Sequence, residues 1–347
     1  MKNFLIAVCF YSIIIFPQQK QLTLDDIFLS DKFKTEDVEN IRWKPDGSAF
    51  AFTEQNPENS LNDIYFFDLN TLEEKLFLPA EILIFNDKQI EMSSYEWTDD
   101  GKYLLVRGPA TTIWRHSRMS SAYLLNLDSN EIIALADEYP GLKNVKLSPN
   151  GNFAGYVKDH NLFLVELSTG KERQLTFDGN ENILNGEFDW VYEEEFSISD
   201  GWQWSRDGKK IAFWKFDQTR VKEFYLIDEM SAYNRVMPLK YPKVGEQNAI
   251  VKIGVIDLQT FKTNWMDTGP DDDIYLPRMY WTNSSSDLSI IRLNRLQNQL
   301  DFIFADTKSG ETKIFFSGFL RKADTDIFIC TIIQEIYCNR LHQVSGK

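Results

Sequence analysis

One segment of the chain carries three adjacent acidic side chains. It reads DWVYEEEF from Asp189 to Phe196, with Glu193, Glu194 and Glu195 in succession. Consecutive residues of a regular strand face opposite sides of a sheet, so these carboxylates can act together only on a turn or a short helix. Carboxylates this close raise one another's pKa unless a cation lies nearby. The segment is therefore either a solvated acidic surface, as isolated charge runs usually are, or a site that holds a positive charge.

The composition excludes several other kinds of site. The chain has 347 residues, and Lys plus Arg at 37 against Asp plus Glu at 52 gives a net charge of −15. An acidic surface repels phosphate backbones, so we expect no nucleic-acid binding. The few cysteines and histidines lie in unrelated contexts and provide neither a disulfide framework nor a metal-binding cluster. They are Cys9, Cys330, Cys338, His116, His160 and His342. We therefore predict no metal and no cofactor.

A repeat predicts the elements that position the acidic segment. Each copy has an apolar or aromatic residue, an Asp-Gly or Asn-Gly turn, and then an alternating apolar strand. The turn glycines are Gly47, Gly101, Gly151 and Gly208, and a degenerate fifth copy starts at Met279. Asp-Gly and Asn-Gly supply the positive φ of tight hairpin turns. Several short strands recurring every ~50 residues are typical of β-propeller blades. We therefore predict an all-β fold with about five blades, in which only Leu22–Phe28 has a helical pattern.

Three motifs, in this order and spacing, resemble the N-terminal propeller of the dipeptidyl-peptidase IV family. They are IWRHS at Ile113–Ser117, DWVYEEEF with the aromatic-rich strand that follows it, and YPKVGEQNAIVK at Tyr241–Lys252. The resemblance extends from about residue 22 to about residue 316. Members of the family are serine exopeptidases that release dipeptides from peptide N-termini, with Pro or Ala preferred as the second residue. The resemblance implies a partial propeller, about five blades of the family's eight, that recognises such peptides.

The resemblance also implies roles for individual residues. In the family, the second and third glutamates of the triplet hold the free ammonium of the substrate, and these positions are Glu194 and Glu195 here. The arginine of the Trp-Arg-His motif, Arg115, helps hold a substrate carbonyl and braces the acidic pair. A peptide amine with a pKa of about 8 is largely protonated at neutral pH, and carboxylates accept its N–H groups in charge-assisted hydrogen bonds. We predict that Glu193 is structural and that Asp189 caps or orients the turn.

The aromatic residues of the acidic segment have a separate expected role. We predict that Trp190, Tyr192 and Phe196 pack against neighbouring elements and anchor the segment. The alternative for Tyr192 is that it lines a substrate pocket.

No catalytic residue can be assigned in the sequence. A serine peptidase of this family needs an α/β-hydrolase domain with its nucleophile in a Gly-x-Ser-x-Gly turn, and neither that motif nor alternating strands and helices occur. We therefore expect this chain alone to lack peptidase activity, and whether it is an enzyme stays open. The alternative is a non-catalytic propeller that binds peptides or a partner protein. A purely structural propeller would make DWVYEEEF a coincidence.

The two ends of the sequence give further expectations. Lys2 precedes an apolar run from Phe4 to Phe16, which is shorter than the ~20 residues of a membrane-spanning helix. We expect residues 1–17 to be a signal peptide or an uncleaved anchor, and the protein to be exported to the periplasm, cell envelope or exterior. Residues 317–347 no longer resemble the family, and we expect an aberrant tail such as a shifted reading frame produces. Family members commonly dimerise, so a homodimer is an open alternative.

Overall fold

The computed structural model describes residues 22–33, 38–44 and 46–319. The predicted signal peptide or anchor at 1–17 lies outside these residues. The chain divides into two compact units, 1–39 and 40–347. In the first unit, helix α1 (Leu24–Phe28) is followed by a 3₁₀ helix at Asp31–Phe33, which confirms the one helical pattern predicted near the N-terminus. Among the described residues, no helix is long and apolar enough to cross a membrane.

The described residues of the second unit form five consecutive antiparallel sheets with short accessory hairpins. The first sheet contains β1 (Glu39–Trp43), β2 (Ala49–Gln55), β3 (Asn62–Asp68) and β4 (Glu73–Leu78), and a 3₁₀ helix (Ala80–Ile82) and the hairpin β5 (Ile84–Phe85) and β6 (Lys88–Gln89) follow it. The second sheet contains β7 (Ser94–Trp97), β8 (Tyr103–Arg107), β11 (Ala122–Asn126) and β12 (Ile132–Ala134), with the hairpin β9 (Thr111–Thr112) and β10 (Arg118–Met119) inserted after β8.

The remaining three sheets follow in the same order along the chain. After a 3₁₀ helix (Leu135–Glu138), the third sheet contains β13 (Lys143–Leu147), β14 (Phe153–Lys158), β15 (Asn161–Glu166) and β16 (Glu172–Gln174). The fourth contains β17 (Ile183–Asn185), β18 (Trp202–Trp204), β19 (Lys210–Asp217), β22 (Ile250–Asp257) and β23 (Lys262–Trp265), with helix α2 (Trp190–Phe196) between β17 and β18 and the hairpin β20 (Glu223–Asp228) and β21 (Arg235–Lys240) after β19. The fifth contains β24 (Ile274–Trp281), β25 (Asp287–Asn294), β26 (Gln299–Asp306) and β27 (Thr312–Phe319).

Each of the four predicted turns joins two consecutive strands of one sheet: β1 to β2, β7 to β8, β13 to β14 and β18 to β19. Gly47, Gly101, Gly151 and Gly208 have φ values of 69°, 70°, 68° and 65°, which lie in the left-handed region that glycine adopts without strain. In each turn the glycine N–H donates to the carbonyl three residues earlier, for example Gly101 to Thr98 at 2.8 Å. The turns of neighbouring sheets also touch, because Asn150 donates to the carbonyls of Asp207 and Gly208 at 3.1 Å.

Four apolar cores lie between the five sheets. Neighbouring residues of a strand point to opposite faces, so the inner strands supply one residue to each of two cores. Leu104 of β8 packs in the core with residues of the first sheet, whereas Leu105 packs in the core with residues of the third. Phe213 and Trp214 of β19 divide in the same way between the cores toward the third and fifth sheets. Consecutive antiparallel sheets of four or five strands, stacked face to face, are the arrangement of propeller blades. The predicted all-β propeller with about five blades is confirmed.

Candidate functional site

The acidic segment forms a short helix, as the need to bring the carboxylates together predicts. Asp189 has extended φ and ψ angles of −76° and 171°, and its carboxylate accepts the N–H of Tyr192 at 3.0 Å, so it is the N-cap of α2. Ser197 is the C-cap of the helix and lies in the left-handed region with φ 53°. The carbonyl of Phe196 accepts from Arg278 of β24 at 2.9 Å. Both helix ends therefore have partners for backbone groups that a helix leaves open.

Tyr192 belongs to the core rather than to a pocket. Its ring lies 4.7 Å from that of Phe216 and 5.2 Å from that of Phe196. Its hydroxyl oxygen accepts the N–H of Leu276 at 2.8 Å, and burial raises the pKa of Tyr192 well above its usual value. Trp190 packs on Tyr241 with ring centroids 4.6 Å apart. The predicted packing role of the aromatic residues is confirmed, and the substrate-pocket alternative for Tyr192 gains no support.

Glu193 points away from solvent toward the loop between β9 and β10. Its side chain is buried, and Oε1 accepts the backbone N–H of His116 at 2.6 Å and that of Ser117 at 2.8 Å. The prediction that Glu193 is structural agrees with this geometry. Sequence reasoning did not anticipate that its partners are the residues that follow Arg115.

The structure brings Arg115 and Glu194 together. Arg115 Nε donates to Glu194 Oε2 at 2.9 Å, although the two residues are 79 positions apart in the sequence. The loop carrying Arg115 is closed by a hydrogen bond from the Ile113 N–H to the Ser117 carbonyl at 3.0 Å. The Arg115 side chain is 70% exposed and that of Glu194 is 20% exposed. The ion pair therefore lies at the surface of α2, where a ligand can reach it.

Glu195 is the remaining carboxylate of the triplet. It is exposed and makes no hydrogen bond or ion pair with the part of the chain that the structure describes. Its carboxylate oxygens, and Oε1 of Glu194, have acceptor capacity for donors of a ligand. The arrangement can thus bind a cation with several N–H donors beside a guanidinium.

Asp189 has an unusual environment for a carboxylate. It is buried at the start of α2, and burial raises its pKa to about 6, although the N–H of Tyr192 stabilises the charged form. A helix N-terminus favours negative charge, but the loss of hydration outweighs this effect here. The predicted capping role of Asp189 is confirmed.

A buried ion cluster just before α2 was not predicted. Glu187 contacts Lys143 of β13 and His160, which lies in the turn between β14 and β15. Burial raises the pKa of Glu187, but the hydrogen bonds from His160 and Lys143 outweigh it and hold the pKa below the usual value. The three residues line a cavity of about 400 Å³ with Trp114 and Trp190. They lie on separate segments, so no local pattern could have revealed the cluster.

The fold and the geometry together define a class of protein: a β-propeller that carries a short acidic helix, paired with an arginine from another blade, at its surface. The family described as the dipeptidyl peptidase IV (DPP IV) N-terminal region matches residues 98–339. The chain belongs to this family. The match runs past residue 316, and β27 runs to Phe319, whereas the rest of the predicted tail at 317–347 lies outside the described residues.

Individual relatives agree with the family match. A Schizosaccharomyces pombe protein named as a dipeptidyl aminopeptidase is 30% identical over 287 residues, which are 78% of this chain and 35% of that protein. An Emericella nidulans protein named as a dipeptidyl peptidase 4 is 26% identical over 306 residues, 85% of this chain and 38% of that protein. The crystal structure of Porphyromonas gingivalis dipeptidyl peptidase 4 superposes with a TM-score of 0.74 at 28% identity, covering 87% of this chain and 43% of that one. The chain thus spans roughly a third of the length of these curated relatives.

Proposed function

We propose that the chain is the substrate-recognition propeller of a dipeptidyl-peptidase IV-like serine exopeptidase and that Glu194 and Glu195 bind the amino terminus of a peptide. The observation that carries this proposal is the contact of Arg115 with Glu194 on α2, beside the exposed Glu195. In the intact protein the activity would be the release of N-terminal dipeptides with Pro or Ala in second position.

The chemistry of the three side chains supports this role. A peptide ammonium has three N–H donors, and carboxylates accept such donors in short, charge-assisted bonds. Glu195 and the second oxygen of Glu194 are acceptors without a partner in the described structure. Arg115 offsets the repulsion between the carboxylates. Only its Nε–H is used by Glu194, so its remaining N–H groups can donate to a substrate carbonyl.

This arrangement would also select the end of a peptide. An internal peptide nitrogen carries no charge, and an acetylated terminus loses the charge and adds bulk at the same place. Desolvating two carboxylates without a cation in return is unfavourable. The site would therefore discriminate against peptides that extend further in the N-terminal direction.

The test is peptide binding by the full chain and by charge-neutral variants. We expect Gly-Pro-Gly-Gly to bind in calorimetry, and Glu194→Gln or Glu195→Gln to weaken binding by roughly tenfold or more, since each removes one charged acceptor. Glu74→Gln is the matched control, because Glu74 is an exposed glutamate on β4 of the first sheet. Equal binding by all four proteins would refute the assignment of the two glutamates.

A further inference from the structure

Glu193 differs from the other two glutamates in its burial and in its partners. Only 1% of the residue is exposed, so its carboxylate has lost nearly all contact with water. A buried carboxylate is costly unless hydrogen-bond donors replace the water. Glu193 Oε1 receives two such bonds, from the N–H groups of His116 at 2.6 Å and Ser117 at 2.8 Å. Both bonds are charge-assisted and therefore stronger than bonds between neutral groups.

These two amides belong to the residues that directly follow Arg115. The loop lies at the tip of the hairpin that is inserted after β8 of the second sheet. In this hairpin Thr112 of β9 pairs with Arg118 of β10. Glu193 and Glu194 are consecutive on α2, and they contact consecutive parts of this loop. The backbone bonds of Glu193 thus set where the Cα atom of Arg115 lies, and from there the guanidinium reaches Glu194.

We propose that Glu193 is the positioning residue of the amine-binding site. It holds the 113–117 loop against α2, so that Arg115 is placed beside Glu194 before a peptide arrives. The three glutamates then have two roles. The Glu193 carboxylate faces inward and fixes the 113–117 loop, whereas the Glu194 and Glu195 carboxylates face outward and bind the ligand. The effect of Glu193 on peptide binding rests on the proposed function, whereas its effect on the position of the 113–117 loop does not.

The holding of the loop can be tested without any peptide. Trypsin cleaves after arginine, and cleavage between Arg115 and His116 requires the loop to leave α2. We expect Glu193→Ala to speed cleavage at this bond, identified by mass spectrometry, by at least about tenfold, because each of the two lost bonds to a charged acceptor is worth roughly that factor. Glu193→Gln should give an intermediate rate, since its amide oxygen can accept both N–H groups without charge.

Asp63 offers a matched control for the loss of a buried carboxylate. It is 2% exposed and accepts the N–H of Ala80 at 2.7 Å in the first sheet. Asp63→Ala should lower global stability but leave the rate of cleavage after Arg115 close to that of the unmodified chain. Cleavage of Glu193→Ala at the unmodified rate, or at the rate of Asp63→Ala, would overturn the proposal.

A double-mutant cycle tests the consequence for binding. We expect Glu193→Ala to weaken Gly-Pro-Gly-Gly binding about tenfold when Arg115 is present and to have little further effect in an Arg115→Ala chain. Additive losses would contradict positioning through Arg115. If the unmodified chain binds free and N-acetylated peptide equally, the amine-binding function is refuted, and with it the effect on peptides. The trypsin result still decides whether Glu193 holds the loop.

Discussion

Arg115 and Glu194 make one hydrogen bond at 2.9 Å, with the arginine side chain 70% exposed. Ion pairs this open to solvent contribute little to folding, because water screens the charges and long side chains lose freedom. The proposed role of the pair is binding, in which an arginine beside two carboxylates reduces their mutual repulsion and offers further donors to a ligand. At the scale of residues, the proposed site would therefore serve recognition rather than stability.

This distinction predicts how Arg115→Ala behaves. The variant should weaken binding of a free-amine peptide by roughly tenfold, because a charged donor and the brace on Glu194 are lost. Its free energy of unfolding should change by less than about 1 kcal/mol. Calorimetry and urea denaturation on the same preparation check both values. A large loss of stability with unchanged binding would show that Arg115 is a structural residue instead.

Asp189 gives a prediction for pH. Burial raises its pKa from 3.8 to about 6, so the folded state binds this proton more tightly than the unfolded state does. The protonated Asp189 therefore stabilises the folded state. This contribution is fully present below pH 4 and is lost as pH rises through 6. Asp189→Asn keeps an oxygen to cap α2 but has no charge. At pH 7 the free energy of unfolding of Asp189→Asn should exceed that of the unmodified chain by up to about 3 kcal/mol. This difference should vanish near pH 4.

Urea unfolding between pH 4 and pH 7.5 measures this difference. Asp189→Ala serves as the comparison, because it removes both the charge and the cap and should lose the stability contributed by the cap at every pH. A constant difference between Asp189→Asn and the unmodified chain across this range would contradict the raised pKa.

At the scale of elements, α2 is held by two other blades. Glu193 fastens it to the loop of the second sheet, and Tyr192 and Phe196 fasten it to β24 of the fifth. A helix of seven residues is too short to be stable through its own hydrogen bonds. Tertiary contacts must therefore supply its stability. They also fix the direction in which Glu194 and Glu195 point.

Tyr192→Phe tests the contact with the fifth sheet. The substitution keeps the packed ring but leaves the buried N–H of Leu276 without its acceptor. We expect the free energy of unfolding to fall by about 1–3 kcal/mol, the usual cost of an unsatisfied buried group. Tyr225→Phe on the exposed hairpin is the control and should change it by less than about 0.5 kcal/mol. Equal effects of the two substitutions would mean that α2 does not depend on this hydrogen bond.

The sequence could predict some of these features but not others. The turns at Gly47, Gly101, Gly151 and Gly208 follow from local backbone chemistry, and with the degenerate fifth copy at Met279 they allow the number of blades to be predicted. The nearness of Arg115 and Glu194 was accessible only through the family resemblance, because no local rule relates residues so far apart. The contacts of Glu187 and Arg278 could not be predicted from the sequence, since each joins segments that only the packing of blades brings together.

At the scale of the whole molecule, the exposed apolar surface predicts self-association. Among the described residues, strand β27 lies at the edge of the fifth sheet, with Phe315 59% and Phe319 82% exposed. An edge strand with large apolar side chains is a template for pairing with another chain. We expect concentration-dependent association in sedimentation experiments, reduced by Phe315→Lys combined with Phe319→Lys. A monomer that unfolds sharply and reversibly at high concentration would contradict this expectation.

In the proposed function, the surface of α2 binds the charged end of a peptide. The most direct measurement is calorimetric titration of the full chain with Gly-Pro-Gly-Gly and with its N-acetylated form at neutral pH. We predict binding of the free peptide and a loss of at least about tenfold on acetylation, since the charge-assisted bonds disappear with the ammonium. Equal affinity for the two forms would contradict this function.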